Sequence, residues 1–275
     1  MARWIIIDDQ HIYATAEVSQ GSYEHWSVMK LADGVEVLEL PVRGLMGQTV
    51  VHPTLIWDDK TVVMVDTGFP GQLPQIRKAI DDTGVPFDRL NKVIITHQDV
   101  DHIGGLPDIV REYRRVQVLC HSEERLFIEG RRPLIKLARL AERAASLPDE
   151  QRQQIEMLLA NPPKASVDAT VEGGDVLPYC GGITVIFTPG HTPGHICLYL
   201  NQSKALIAGD ALVVVDGVLN GPNPQMAYDM DAAIKSLQKL TRCDVKTVIC
   251  YHGGVYTKAV NERLAELANL RNCAP

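Results

Sequence analysis

Four side chains able to bind a metal, His97, Asp99, Asp101 and His102, fall within six positions of the run Thr96-His97-Gln98-Asp99-Val100-Asp101-His102-Ile103-Gly104-Gly105. They follow directly on Val93 to Thr96, a β-branched apolar run that reads as a buried strand. Buried imidazoles and carboxylates are costly unless paired or bound to a cation. The fold must therefore carry this cluster to a strand end that opens into a pocket, where the donors can converge. In an extended stretch His97, Asp99 and Asp101 point to one side, while His102 opens the next element and turns back.

Three more strand ends repeat the theme. Thr188-Pro189-Gly190-His191-Thr192-Pro193-Gly194-His195 follows a strand, and its two prolines and two glycines restrict where His191 points. Ala208-Gly209-Asp210 ends another strand with a carboxylate, and Cys250-Tyr251-His252-Gly253-Gly254 ends a third with an imidazole. Each candidate lies at the C-terminal end of a strand, where α/β folds build their sites. His195 reads as a structural or supporting residue and His121 as a solvated loop residue. His11, His25 and His52 have no partner pattern. Gly104 and Gly105 read as positions of close backbone packing rather than a phosphate loop.

Short Val/Ile-rich runs read as strands at Val35 to Val42, Thr49 to Trp57, Thr61 to Asp66, Val93 to Thr96 and Val116 to Cys120. Helical patterns alternate with them at Leu73 to Asp82 and Leu106 to Tyr113. A charged Leu/Ala/Arg-rich stretch over residues 123–163, broken by Pro133 and Pro148, reads as a helical insertion. Its basic residues, Arg125, Arg131, Arg132, Lys136, Arg139 and Arg143, read as a solvated helix face. Strands return at Ile183 to Thr188, His195 to Leu200, Ala205 to Ala208, Leu212 to Val215 and Val245 to Tyr251. Helices are expected from Asp231, taken as an N-cap, and over Tyr256 to Leu270. The 275 residues thus read as one domain, 1–275, of two similar halves. Residues 1–33 form an N-terminal extension, either an extra hairpin or an arm reaching a second copy in a homodimer.

The balance of 27 Lys+Arg against 34 Asp+Glu leaves a net charge of −7, which argues against a nucleic-acid partner. No apolar stretch approaches the ~18 residues a membrane span needs. Trp4 to Ile7 is followed at once by Asp8 and Asp9, unlike a secretory signal, so a cytoplasmic protein without membrane contact is expected. Six scattered cysteines without a CxxC pair read as free buried thiols.

His-x-Asp-x-Asp-His, then Pro-Gly-His, then Gly-Asp, then a late His, together with Asp66-Thr67-Gly68 after a strand, resembles the metallo-β-lactamase superfamily over roughly residues 35 to 270. The resemblance implies an α/β fold, an αββα sandwich, with a two-metal site at one edge of its sheets. Carried over position by position, it gives one metal to His97, Asp99 and His191 and the other to Asp101, His102 and His252. Asp210 bridges them, and Asp66 supports the site by hydrogen bonding near the metals. The departure is Asp99, where the usual motif has a second histidine. An added carboxylate hardens the ligand set, so manganese or iron gains on zinc, although zinc is the first expectation.

Two dications held about 3.5 to 4 Å apart deprotonate a bridging water near neutral pH and polarise a carbonyl. Asp101 and Asp210 are then the catalytic carboxylates that aim the hydroxide. The expected activity is metal-dependent hydrolysis, with a lactone or other carboxylic ester as substrate in the manner of the acyl-homoserine lactonases. Those enzymes typically carry a tyrosine three residues after the bridging aspartate, where this chain has Val213; Tyr228 or Tyr251 is the substitute hydroxyl to look for. The pocket walls are expected from the insertion and from Asn220 to Met226. Alternatives are a thioesterase, a β-lactamase-like hydrolase, a non-hydrolytic diiron protein, as in the flavodiiron relatives with an acidic residue at this point, and a binding protein without turnover.

Overall fold

A computed structural model describes residues 5–7, 12–14, 27–44, 47–144 and 149–269. Seven strands form one sheet in the order Ala169–Val171, Gln117–His121, Lys92–Ile95, Val62–Val65, Thr54–Trp57, Val35–Leu38 and Val28–Ala32. The first four run parallel and the rest pair antiparallel. Six strands form the second sheet, in the order Val176–Leu177, Ile183–Phe187, Ile196–Leu200, Ala205–Gly209, Thr247–Cys250 and Gly254–Tyr256. Its one parallel pair joins Ala205–Gly209 to Thr247–Cys250.

Both sheets are covered on both faces, and for that reason their central strands are continuously apolar. Alternate residues of one strand serve different layers. Val63, Val65, Ile94 and Leu119 meet Val185, Leu198, Ile207 and Ile249 in the core between the sheets. Their neighbours Met64, Val93, Ile95 and Val118 face outward onto Ile76 and Ile80 of the helix Leu73–Asp82 and Leu106 and Ile109 of the helix Leu106–Glu112. On the far side Leu206, Ala208, Val248 and Cys250 pack on Leu237 and Leu240 of Met230–Leu240 and Leu264 and Leu267 of Val260–Ala268. The result is the four-layer αββα sandwich.

The insertion is helical at Ser122–Ile128, Ile135–Arg143 and Asp149–Ala160. Some boundaries differ from the sequence reading. Val35 to Val42 is two strands, because Leu40–Gly44 leaves the sheet to pair with Gly47–Val51. Asp229, rather than Asp231, caps the helix Met230–Leu240, its Oδ1 accepting from Ala232 N at 2.9 Å. Tyr256 belongs to a strand, and the last helix starts at Val260. Ile5–Ile7 pairs antiparallel with Ile12–Ala14, as the hairpin reading of the extension expects; residues 1–4, 8–11 and 15–26 lie outside the described residues. Among the described residues no helix is long and apolar enough to cross a membrane.

Candidate metal centre

Asp66 ends the strand Val62–Val65 beside the strand that delivers the His97 run, with φ of +61°, a left-handed backbone that aspartate tolerates better than most residues. Its Oδ1 accepts from Thr96 N and its Oδ2 from Thr96 Oγ1, both at 2.8 Å. His102 Nδ1 lies 2.8 Å from the same Oδ2. With Nδ1 engaged, Nε2 of His102 is turned away from Asp66 and toward the cluster. A short helix, Val100–Ile103, follows Asp99. Asp101 therefore sits on a helical turn rather than on the extended stretch expected for it, while His102, expected to open the next element, shares that turn. Gly104 and Gly105 are needed for close approach: a Cβ there would meet Pro70 N and Thr67 O, each at 2.3 Å.

The structure brings all seven sequence-selected side chains together. The donor atoms of His97, Asp99, His191 and Asp210 lie within 4.8 Å of one another, as do those of Asp101, His102 and His252. Asp99 Oδ2 is 2.9 Å from both His97 Nε2 and His191 Nε2. Asp210 stands between the groups, with Oδ2 3.3 Å from His191 Nε2 and 3.5 Å from His252 Nε2, and Oδ1 3.3 Å from His102 Nε2. His252 Nε2 is also 3.2 Å from Asp101 Oδ2.

His102 Nε2 and Asp210 Oδ1 are buried without a hydrogen-bond partner. Orphaned buried polar atoms are rare, and a nitrogen lone pair and a carboxylate oxygen facing each other across a cluster are donors suited to a cation. The residues present thus fit a divalent metal. Burial pushes His252 down, but Asp210 and Asp101 outweigh it and raise this imidazole to about 10, so a cation binding there displaces its proton. Burial also works against Asp99, yet the Lys136 ammonium and His97 hold it well below the usual carboxylate range. Burial and Lys136 lower His191 to about 4, leaving it neutral as a ligand must be.

A family model described as the metallo-beta-lactamase superfamily matches residues 46–252. The chain belongs to that superfamily. Relatives of the chain in that superfamily carry the name metallo-hydrolase. The chain is 30% identical over 251 residues to the probable metallo-hydrolase YflN of Bacillus subtilis, covering 82% of this chain and 90% of that one. It is 25% identical over 224 residues to the hydroxyacylglutathione hydrolase of Prochlorococcus marinus, covering 79% and 71%. Among solved structures, the metallo-beta-lactamase family protein TTHA1429 of Thermus thermophilus superposes with a TM-score of 0.65 at 23% identity, covering 88% of this chain and 81% of that chain.

Around the superfamily cluster lies a supporting layer, part of which sequence reasoning missed. His195 is buried, accepting from Asp210 N at 3.0 Å and paired through Nδ1 with Thr188 Oγ1 at 2.8 Å, so it orients Asp210 as a structural residue. Gly209, at φ +50°, lets this imidazole in; a Cβ would meet its Nε2 at 2.7 Å. Tyr251 stacks on His102 with ring centroids 3.8 Å apart. Its hydroxyl donates to Asp101 O at 2.5 Å and accepts from Gly68 N at 3.1 Å, which removes it as the substitute hydroxyl for substrate. His121 is buried rather than solvated. It stacks on Phe187 and caps the helix Ser122–Ile128, its Nδ1 accepting from Glu123 N at 3.2 Å.

Glu124 is fully buried and had no sequence signal, since nothing in its spacing relates it to the ligands. Its Oε2 accepts from Gln98 N and Nε2, and its Oε1 from Thr192 Oγ1 and Gly194 N. It ties the His97 turn to the His191 turn. Lys136 corrects the reading of the basic run: it leaves the solvated face, and its Nζ reaches Asp99 Oδ2 at 2.5 Å and His191 Nε2 at 2.9 Å. The loop after Asn220 lies beside His191, with Tyr228 N donating to His191 O at 3.1 Å, and Arg139 of the insertion sits over the Tyr228 ring. Asp66→Asn keeps the shape but weakens its hold on Thr96 and His102. Metal affinity, measured by chelator competition, is expected to fall about 10- to 100-fold, whereas unchanged affinity would remove Asp66 from the supporting layer.

Proposed function

We propose that this protein is a two-metal hydrolase of activated carboxylic-acid derivatives, with acyl thioesters as the first substrate class and lactones or other carboxylic esters as the second. The observation that carries the reading is the pair of donor clusters meeting at Asp210, with His102 Nε2 and Asp210 Oδ1 buried and otherwise unpartnered. His97, Asp99 and His191 would hold one cation, Asp101, His102 and His252 the other, and Asp210 would serve both. Two bound dications, zinc first and manganese or iron next because of the added carboxylate, would supply a nucleophile from water near neutral pH and polarise the acyl carbonyl. Asp101 and Asp210 orient the attacking water.

The buried thiols do not compete as nucleophiles: burial pushes Cys197 and Cys120 up to about 12. The leaving group decides between substrate classes. A thiolate, with a thiol pKa near ~8.5, departs without a proton donor, whereas an alkoxide needs one. Position 213 is a valine, the Tyr251 hydroxyl is engaged with Asp101 O and Gly68 N, and the exposed Tyr228 beside the His191 turn is the remaining hydroxyl that an ester would call on. Relatives named hydroxyacylglutathione hydrolases support the thioester as well.

The test is a panel of acylglutathione thioesters, lactones and β-lactams, run on protein whose metal content has been measured. Thioester hydrolysis that a chelator stops and a dication restores is the expected result. Silence toward all three classes by a fully metal-loaded protein would overturn the reading. The hard ligand Asp99 supports one further reading, a non-hydrolytic iron protein, which bound iron with a visible absorption band and no hydrolysis would favour.

A further inference from the structure

The residue that most departs from a helix-face expectation, Lys136, enters the donor cluster by a built route. Gln98, between two of the donors, accepts from Ile135 N through Oε1 at 2.8 Å, which pins the start of the insertion helix onto the His97 turn. Leu134 and Leu137 on either side are buried in the core and fix the helix rotation. From there the Lys136 side chain, 22% exposed, ends on Asp99 Oδ2 and on His191 Nε2, the nitrogen that a bound cation would take over from it. Burying an ammonium is costly unless it is paired, so the contact is specified by both partners.

Charge gives the contact its meaning. Asp99 adds a negative charge to a donor set that already holds Asp101 and Asp210, and Lys136 brings one positive charge to the same oxygen. Together the two carry no net charge, as one neutral imidazole would. We propose that Lys136 is a positioning residue of the metal centre, holding the Asp99 carboxylate between His97 and His191 and cancelling its charge, so that Asp99 and Lys136 act as a single neutral donor unit. This inference rests on the metal reading of the cluster. It makes the insertion helix a component of the centre as well as a wall beside it.

The experiment is a double-mutant cycle of Asp99→His, Lys136→Met and both together, read by zinc and manganese affinity in chelator competition. Thermal melting of each metal-free variant runs alongside. In the Asp99→His background the ammonium faces three imidazoles and opposes the cation, so Lys136→Met is expected to tighten zinc binding about 100-fold there. In the wild-type background the same substitution also releases the Asp99 carboxylate from its hold, the two effects oppose each other, and affinity is expected to change less than about 10-fold. Asp99→His is further expected to move preference from manganese toward zinc only when Lys136 is also replaced. Equal shifts in the two backgrounds would overturn the pairing while leaving the metal reading intact. A folded wild-type protein that binds neither metal would overturn the metal reading, and the proposal with it. Should Asp99→His fail to fold, Asp99→Asn takes its place in the cycle with the same criteria.

Discussion

Asp210→Ala is expected to eliminate hydrolysis and at the same time to strip the protein of metal. Asp210 is the carboxylate that faces both groups, within 3.3 to 3.5 Å of His191, His102 and His252 together. Its loss would leave three imidazoles without the carboxylate they face, and each cation would lose a negatively charged ligand. Because bound metal is itself a source of folding energy, the variant is expected to melt at the temperature of the metal-free wild type and to gain nothing when a dication is added. Activity should fall by at least about 10³-fold, the scale of losing a metal-generated nucleophile. Full metal content with surviving turnover would show that Asp210 does not bridge.

Glu124→Ala is the second large effect, and it falls on stability. Four donors, Gln98 N, Gln98 Nε2, Thr192 Oγ1 and Gly194 N, converge on this one buried carboxylate. Each buried donor left unsatisfied costs about 1 to 3 kcal/mol. Part of that is offset, since burial pushes the Glu124 carboxyl up against the hydrogen bonds from Thr192, Gly194 and Gln98, a sign that the ionised form is itself costly here. The net expectation is about 3 kcal/mol of lost stability, or roughly 6 to 12 °C in melting temperature for a domain of this size. Denaturant titration of metal-free protein measures it directly. A loss below about 1 kcal/mol would mean that Glu124 is not the tie between the two turns.

The donors were legible because their motifs each follow a short apolar run that reads as a strand and so announce both the element and its end of the sheet. His97 after Val93 to Thr96, Asp210 after Ala205 to Ala208 and His252 after Val245 to Tyr251 share that signature, and the structure brings all of them to one edge. The layers were legible for the same reason, since strands apolar on both faces require cover on both sides. The supporting residues were hidden because their roles come from long-range approach. Glu124 lies 26 positions from Gln98 and 68 from Thr192, and a helical glutamate beside a second one looks solvated. Lys136 sits in a run of basic residues whose pattern describes a surface helix, and the Gln98–Ile135 hydrogen bond together with the buried Leu134 and Leu137 turns it inward. The helical turn at Asp101 was masked by alternation in the motif, which the local backbone overrides in order to return His102 to Asp66.

If seven side chains hold two cations that hydrolysis requires, metal content and turnover must rise together. Elemental analysis of the protein after dialysis against chelator and stepwise return of zinc or manganese, with thioester hydrolysis followed at each step, tests it most directly. Two equivalents per chain, with activity appearing as they bind, is the result expected; a folded chain that takes up no metal, or hydrolyses equally well without it, would contradict the account.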